Sequence, residues 1–230
     1  TAYAIISSIG FIFLLLSFTK SDRRLNADEI TVKKINITGE DGSLRMVLSN
    51  ENRQHPGRME GKDLPKRQRP AGIIFFNNQG DECGGIISGV TNENGGLNND
   101  MSFTMDNYHD DQVVQLLNNE IYKNGEPLIT RGLAFNEYPS GTSLLTRYSK
   151  FQELEHIKDS ATRNQKTKEL MEKEASKRRV FIGRNPDQTT GLFLFDKKGK
   201  AKIKIYVDNQ GQPRIETLDE NGTAKKLLLQ

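Results

Sequence analysis

The chain has 230 residues, 33 of them basic and 30 acidic, for a net charge of +3. That balance gives no electrostatic footprint for nucleic acid, and the basic stretches at 53–69 and 166–179 lack interleaved aromatics. A single cysteine, Cys83, excludes an internal disulfide and any metal site needing two thiolates from one chain.

In chain order, residues 2–18 come first and read AYAIISSIGFIFLLLSF, with no charge. This run is at the short end of the roughly 17–25 residues that span a bilayer. It predicts an uncleaved, single-pass anchor over 1–19, with Ile5, Ile6, Phe11, Phe13 and Leu14 among its anchoring residues. Lys20, Arg23 and Arg24 follow it, and by the positive-inside rule they argue for a cytoplasmic domain. Residues 20–29 read as a linker, and nothing after Phe18 is apolar for long enough to cross again.

Beyond the linker the sequence is mainly β. A turn motif recurs: Gly39-Glu40-Asp41-Gly42, Asn77-Asn78-Gln79-Gly80, Asp196-Lys197-Lys198-Gly199, Asp208-Asn209-Gln210-Gly211 and Asp219-Glu220-Asn221-Gly222. Asp or Asn opens such a turn by accepting from its own backbone, and Gly takes the left-handed conformation that other residues resist. A base usually follows three residues after the Gly: Arg45, Lys202, Arg214 and Lys225, with Cys83 the exception. Its expected place is an exposed strand face. Strands are predicted at 30–37, 44–48, 72–76, 84–90, 101–105, 112–117, 120–122, 128–129, 132–135, 143–147, 180–183, 192–195, 202–207 and 214–218. The fold class is therefore repeated short hairpins in a meander, preceded by one transmembrane helix. The units expected are a β-rich repeat domain over 30–148, a helical insertion over 149–178 and C-terminal β-repeats over 179–230.

Two segments interrupt the β pattern. Residues 50–70 contain Pro56, Pro65 and Pro70 and read as a long loop. Residues 148–178 have no Pro or Gly and are rich in Glu, Lys and Gln, which predicts one long helix. Leu154, Ile157, Ala161, Met171 and Ala175 fall on a weak heptad-like seam, an interaction helix that must dock on the β domain, a copy of itself or another protein.

No nucleotide loop, zinc-protease helix or nucleophile elbow is present. The most suggestive cluster is Asp106-Asn107-Tyr108-His109-Asp110-Asp111. Asp106, His109, Asp110 and Asp111 form a candidate metal or acid–base set, weighed against a simple turn between strands. No cofactor is expected.

The runs at 30–37 and 41–50, with Ala71-Gly72-Ile73-Ile74-Phe75-Phe76-Asn77-Asn78-Gln79-Gly80 and Asp111-Gln112-Val113-Val114-Gln115-Leu116, resemble a family of uncharacterised bacterial envelope proteins with a hydrophobic leader. The C-terminal Asp-x-x-Gly-x-x-basic units are similar to β-repeats of envelope-anchored proteins. The resemblance implies a domain on the far side of the bacterial inner membrane and transfers no catalytic residue. Two classes of function are open. One is a structural or interaction protein, an accessory subunit of a membrane assembly that self-associates, with a trimer favoured. The other is a ligand-binding, metal-binding or hydrolytic domain using the cluster at 106–111.

Overall fold

The structure is a computed structural model that describes residues 24–93, 95–123, 125 and 127–226. The predicted anchor, with Ile5, Ile6, Phe11, Phe13 and Leu14, lies outside the described residues. Among the described residues no helix is long and apolar enough to cross a membrane. The chain divides into Thr1–Val32 and Lys33–Gln230. Residues 24–32 of the first unit carry neither helix nor strand.

The second unit is mainly β, as expected. Its strands are β1 (Lys34–Thr38), β2 (Leu44–Ser49), β3 (Arg58–Met59), β4 (Lys62–Asp63), β5 (Ala71–Phe76), β6 (Glu82–Glu93), β7 (Gly96–Asp106), β8 (Gln112–Tyr122), β9 (Leu128–Glu137), β10 (Lys177–Arg184), β11 (Thr190–Phe195), β12 (Ala201–Val207), β13 (Pro213–Leu218) and β14 (Ala224–Lys226). All but β3 and β4 form one 12-stranded sheet in the order β1-β2-β5-β6-β7-β8-β9-β10-β11-β12-β13-β14. Every neighbour in it is antiparallel and next in the chain among the sheet's strands. The segments before and after the helical insertion are thus one sheet, joined through β9 and β10.

The recurring turns close this meander as their chemistry dictates. Asp208 Oδ1 accepts from the backbone of Gln210 and Gln212 at 3.0 and 2.8 Å, and Asp196, Asp219 and Asn77 do the same in their own turns. Gly80, Gly199, Gly211 and Gly222 sit at φ between 77° and 87°. The base of the repeat returns to the turn: Arg214 Nε lies 2.9 Å from Asp208 Oδ2, Arg45 Nη2 3.3 Å from Asp41 Oδ2, and Lys202 Nζ 3.9 Å from Asp196 Oδ2. Each of these three units closes its own charge, which explains the spacing without an acidic partner. Backbone N–H groups, chiefly that of Gln212, hold the Asp208 carboxyl below the usual carboxylate range.

One further turn follows the pattern without the glycine. In Asn185-Pro186-Asp187-Gln188 the backbone bonds match, but Gln188 occupies the left-handed position at φ 68°. A side chain there costs about 1–2 kcal/mol. Gln188→Gly is therefore expected to stabilise the protein by about 0.5–1 kcal/mol after the entropy loss of glycine, read as a higher urea midpoint. A lower midpoint would show that the Gln188 side chain is needed.

The segment 50–70 is irregular, as expected, apart from a single turn of 3-10 helix (Glu51–Arg53) and the small β3–β4 hairpin. It straps across one face of the sheet. Gln54 Nε2 donates to the carbonyls of Pro70 and Gly72, the His55 ring meets Phe76 edge-on at 4.9 Å, and Arg69 pairs with Glu82 at 2.7 Å. Beneath lie Val47, Ile74 and Phe76. A second small core on the same face holds Ala134, Phe181 and Phe193, with Leu117, Phe195 and Tyr206 against it.

The insertion differs from expectation. It is two helices, α1 (Leu144–Glu155) and α2 (Ser160–Glu174), not one. The strand expected at 143–147 is the start of α1: Ser143 caps it, its hydroxyl accepting from Thr146 N at 3.3 Å. Asp159 caps α2 by accepting from Thr162 N at 2.8 Å, so the chain turns at 156–159 without Gly or Pro. The heptad seam is broken there. Leu154 is half-buried near the end of α1, Ile157 lies in the connection, Ala161 and Met171 are exposed on α2, and Ala175 caps its C-terminus.

Candidate functional site

The pairing register determines which side chains share a face, because residues directly opposite in an antiparallel ladder point the same way. Following the register from β1 to β13 gives one unbroken row: Ile35, Leu48, Ile73, Ile86, Phe103, Leu116, Leu133, Ile182, Leu192, Ile205 and Ile215. Every residue in it is aliphatic or Phe. Two positions along each strand lies a second row, from Ile37, Met46 and Phe75 through Gly84, Met105, Val114, Phe135, Val180 and Leu194 to Ile203 and Thr217. Neither row contains a charge.

This face is the opposite one to the two small cores. Among the described residues nothing buries it: apart from Gly84, no residue of either row is buried. Leu116 is 56% exposed and Ile182 48%, whereas Ala134 and Phe181, next to them in sequence or register but on the other face, are at 0% and 1%. A polar group flanks the strip on the long central strands. Arg131 donates to Asn118 at 2.6 Å and to Glu120 at 2.7 Å, and Tyr122 donates to Glu120 at 2.6 Å. Tyr122, Arg131 and Asn118 together pull the Glu120 carboxyl down to about 2.

The cluster at 106–111 is the β7–β8 turn, and its members go to separate partners. Asp110 is buried at 1% exposure and forms an ion pair with Arg147 of α1, whose Nη1 lies 3.2 Å from its Oδ2. Thr142 and the Asp111 backbone N–H also donate to it, and Leu144 N donates to the carbonyl of His109. The Arg147 guanidinium lies 4.5 Å above the Tyr138 ring. Asp110 is therefore a latch that docks the helices on the sheet's turn end, a role that no local sequence signal announced.

His109 has a left-handed backbone at φ 55° and stacks on Tyr108. Its Nε2 lies 3.2 Å from Asp81 Oδ2 and its Nδ1 3.7 Å from Glu60 Oε1. It links the β5–β6 turn to the strap. Asp111 and Asp106 line a cavity of about 330 Å³ under the strap, with Glu82, Met59, Leu64 and Tyr148 among its walls. Among the described residues no three His, Cys, Asp or Glu side chains converge in a way that could hold a metal ion. Cys83 is half-buried near Asp106, and burial raises its thiol, which leaves it a poor nucleophile at neutral pH.

Asp106 is the group most displaced from ordinary behaviour. Burial, then the neighbouring Asp111 and Glu82, push its carboxyl up to about 7, with Arg69 opposing. Its Oδ1 is buried without a hydrogen-bond partner. The folded value lies above the unfolded 3.8, so ionising Asp106 destabilises the fold. Its contribution is full at pH below the unfolded value and is lost as pH rises through about 7. Asp106→Asn is expected to raise stability at pH 8 by on the order of 2–4 kcal/mol and to change it little near pH 4. Melting temperatures of both proteins between pH 4 and 8 check this. Parallel curves would sink it.

Comparison with protein-family models, with curated proteins and with solved structures finds no match. The reading of function therefore stands on the sheet and its surfaces.

Proposed function

We propose that this chain is a non-enzymatic structural protein of the bacterial envelope, held in the inner membrane by residues 2–18, that works by protein–protein contact as an accessory subunit of a larger assembly. The observation that carries the reading is the charge-free, largely apolar two-row strip that runs across eleven strands, uncovered among the described residues. Contiguous apolar surface on this scale marks an interaction site. The polar residues singled out in sequence support it by default: His109 and Asp110 serve to fasten the strap and the helices. The domain lies outside the cytoplasm in this reading, as the family resemblance implies, and three copies stand together with their anchors side by side.

Isolation from native membranes in mild detergent tests it. The expected result is a stable assembly containing this chain. A free single chain with no companion would refute it. Protease added to right-side-out spheroplasts should digest the domain, and survival until the membrane is broken would place it in the cytoplasm. The alternative of a ligand- or metal-binding domain has the cavity beside Asp106 in its favour. Stoichiometric metal in the purified protein would favour that alternative.

A further inference from the structure

We infer that the aliphatic face is covered by the same face of further copies of this chain. The inference rests on the reading of the chain as an assembly subunit and names its partner. Ten inter-strand steps make the strip about 48 Å long, and two rows about 7 Å apart with their side chains make it about 14 Å wide. The footprint is on the order of 700 Å². That exceeds the roughly 300–600 Å² of the largest patch on an ordinary monomer and approaches the roughly 800 Å² per partner of a stable interface.

A covering surface must match this strip in length and must bring no charge, since an unpaired charge buried there is costly. The chain itself presents such a surface. In homotypic contact the side chains of one copy fill the spaces between the rows of another, as the inner faces of packed sheets do at about 10 Å separation. The flanking Asn118, Glu120, Tyr122 and Arg131 are satisfied among themselves. They can form a polar rim without needing a complementary charge from a partner. The rows run from β1, one end of the sheet, to β13, the last strand but one, where the second row meets Lys225 of β14; over those eleven strands each strand along a common axis meets an equivalent layer in a neighbouring copy.

The test uses the full chain in mild detergent at micromolar concentration. A mass of three chains is expected, and a mass of two would equally support homotypic burial. Leu116→Glu combined with Ile182→Glu places two charges on the strip at positions already exposed in the single chain. This variant is expected to run as a single chain with its β circular dichroism kept. The chain has no Trp, so Leu116→Trp gives a second, independent reading. Its emission should be blue-shifted and move toward the solvent value on dilution at fixed detergent. A wild-type single chain, with Trp emission independent of protein concentration, overturns the inference. If that single chain still co-isolates with other proteins from membranes, the assembly reading survives alone. If it co-isolates with nothing, both fall.

Discussion

Replacing Arg147 by Ala is expected to lower stability by about 3–5 kcal/mol, because it leaves the Asp110 carboxylate buried without its counter-charge. Asp110 is 1% exposed and Arg147 7%. The guanidinium also covers the Tyr138 ring, so its loss removes packing as well as charge. Asp110→Leu alone should cost less, since the arginine that remains can swing toward water. The double variant Asp110→Leu, Arg147→Met should recover most of the loss, because an apolar pair of similar volume is often as stable as a buried ion pair. Urea melts of all four proteins decide it. A loss below about 1 kcal/mol for Arg147→Ala would show that water reaches Asp110 readily and that the latch is weak.

That latch shows where sequence reasoning stops. Asp110 sits in a run of turn-forming residues, and read locally it is one polar turn residue among several. Its partner lies 37 positions away. Nothing in the spacing joins them, since the contact exists only once the β8–β9 hairpin has brought α1 back to the β7–β8 turn. The helical segment misled for a related reason. Leu144, Leu145 and Thr146 suit a strand as well as a helix, and only the cap made by Ser143 favours helix there. The break at 156–159 uses an Asp cap in place of Gly or Pro, so composition alone extends one helix through it.

The sheet was more legible. Turn chemistry is local, so Asn77, Asp196, Asp208 and Asp219 announce their hairpins directly, and the strands between them follow. The short strands expected at 112–117 and 120–122 are one strand, β8, because Asn118 and Asn119 continue the ladder rather than end it. The uncovered face was not legible. Each strand shows an apolar residue or two, which reads as a thin core. The rows emerge only when bulges beside the turns, as between Phe75 and Phe76 or Met105 and Asp106, fix the register. The apolar residues are not scarce. Many of them are gathered on the side that the described residues leave open.

Gly183→Val is expected to cost on the order of 2–6 kcal/mol, from about 1–3 kcal/mol of backbone strain and about 1–3 kcal/mol of overpacking. Gly183 lies at φ 157° opposite Gly132 at φ 158°, and the two backbones approach more closely than a ladder with side chains allows. A Cβ on Gly183 would stand 2.1 Å from the Arg131 carbonyl oxygen and 2.7 Å from Gly132 Cα. Gly191, next in the same row, would meet the Ile205 carbonyl oxygen at 2.1 Å. These glycines form a lane on the cored face, beside Phe181 and Phe193, where Leu117 and Tyr206 pack against that small core. A side chain in the lane must push β9 from β10, the one pairing that joins the sheet before the helices to the sheet after them. The opposite face would lose its register at the same place, so the variant should also weaken assembly. Gly89→Ala is the control: its Cβ meets only Pro70, at 3.4 Å. Urea midpoints for both variants, with the mass of each in detergent, separate the cases. A Gly183→Val protein as stable as Gly89→Ala would mean that the strands part there without cost, and that the lane is not what holds the two halves of the sheet in register.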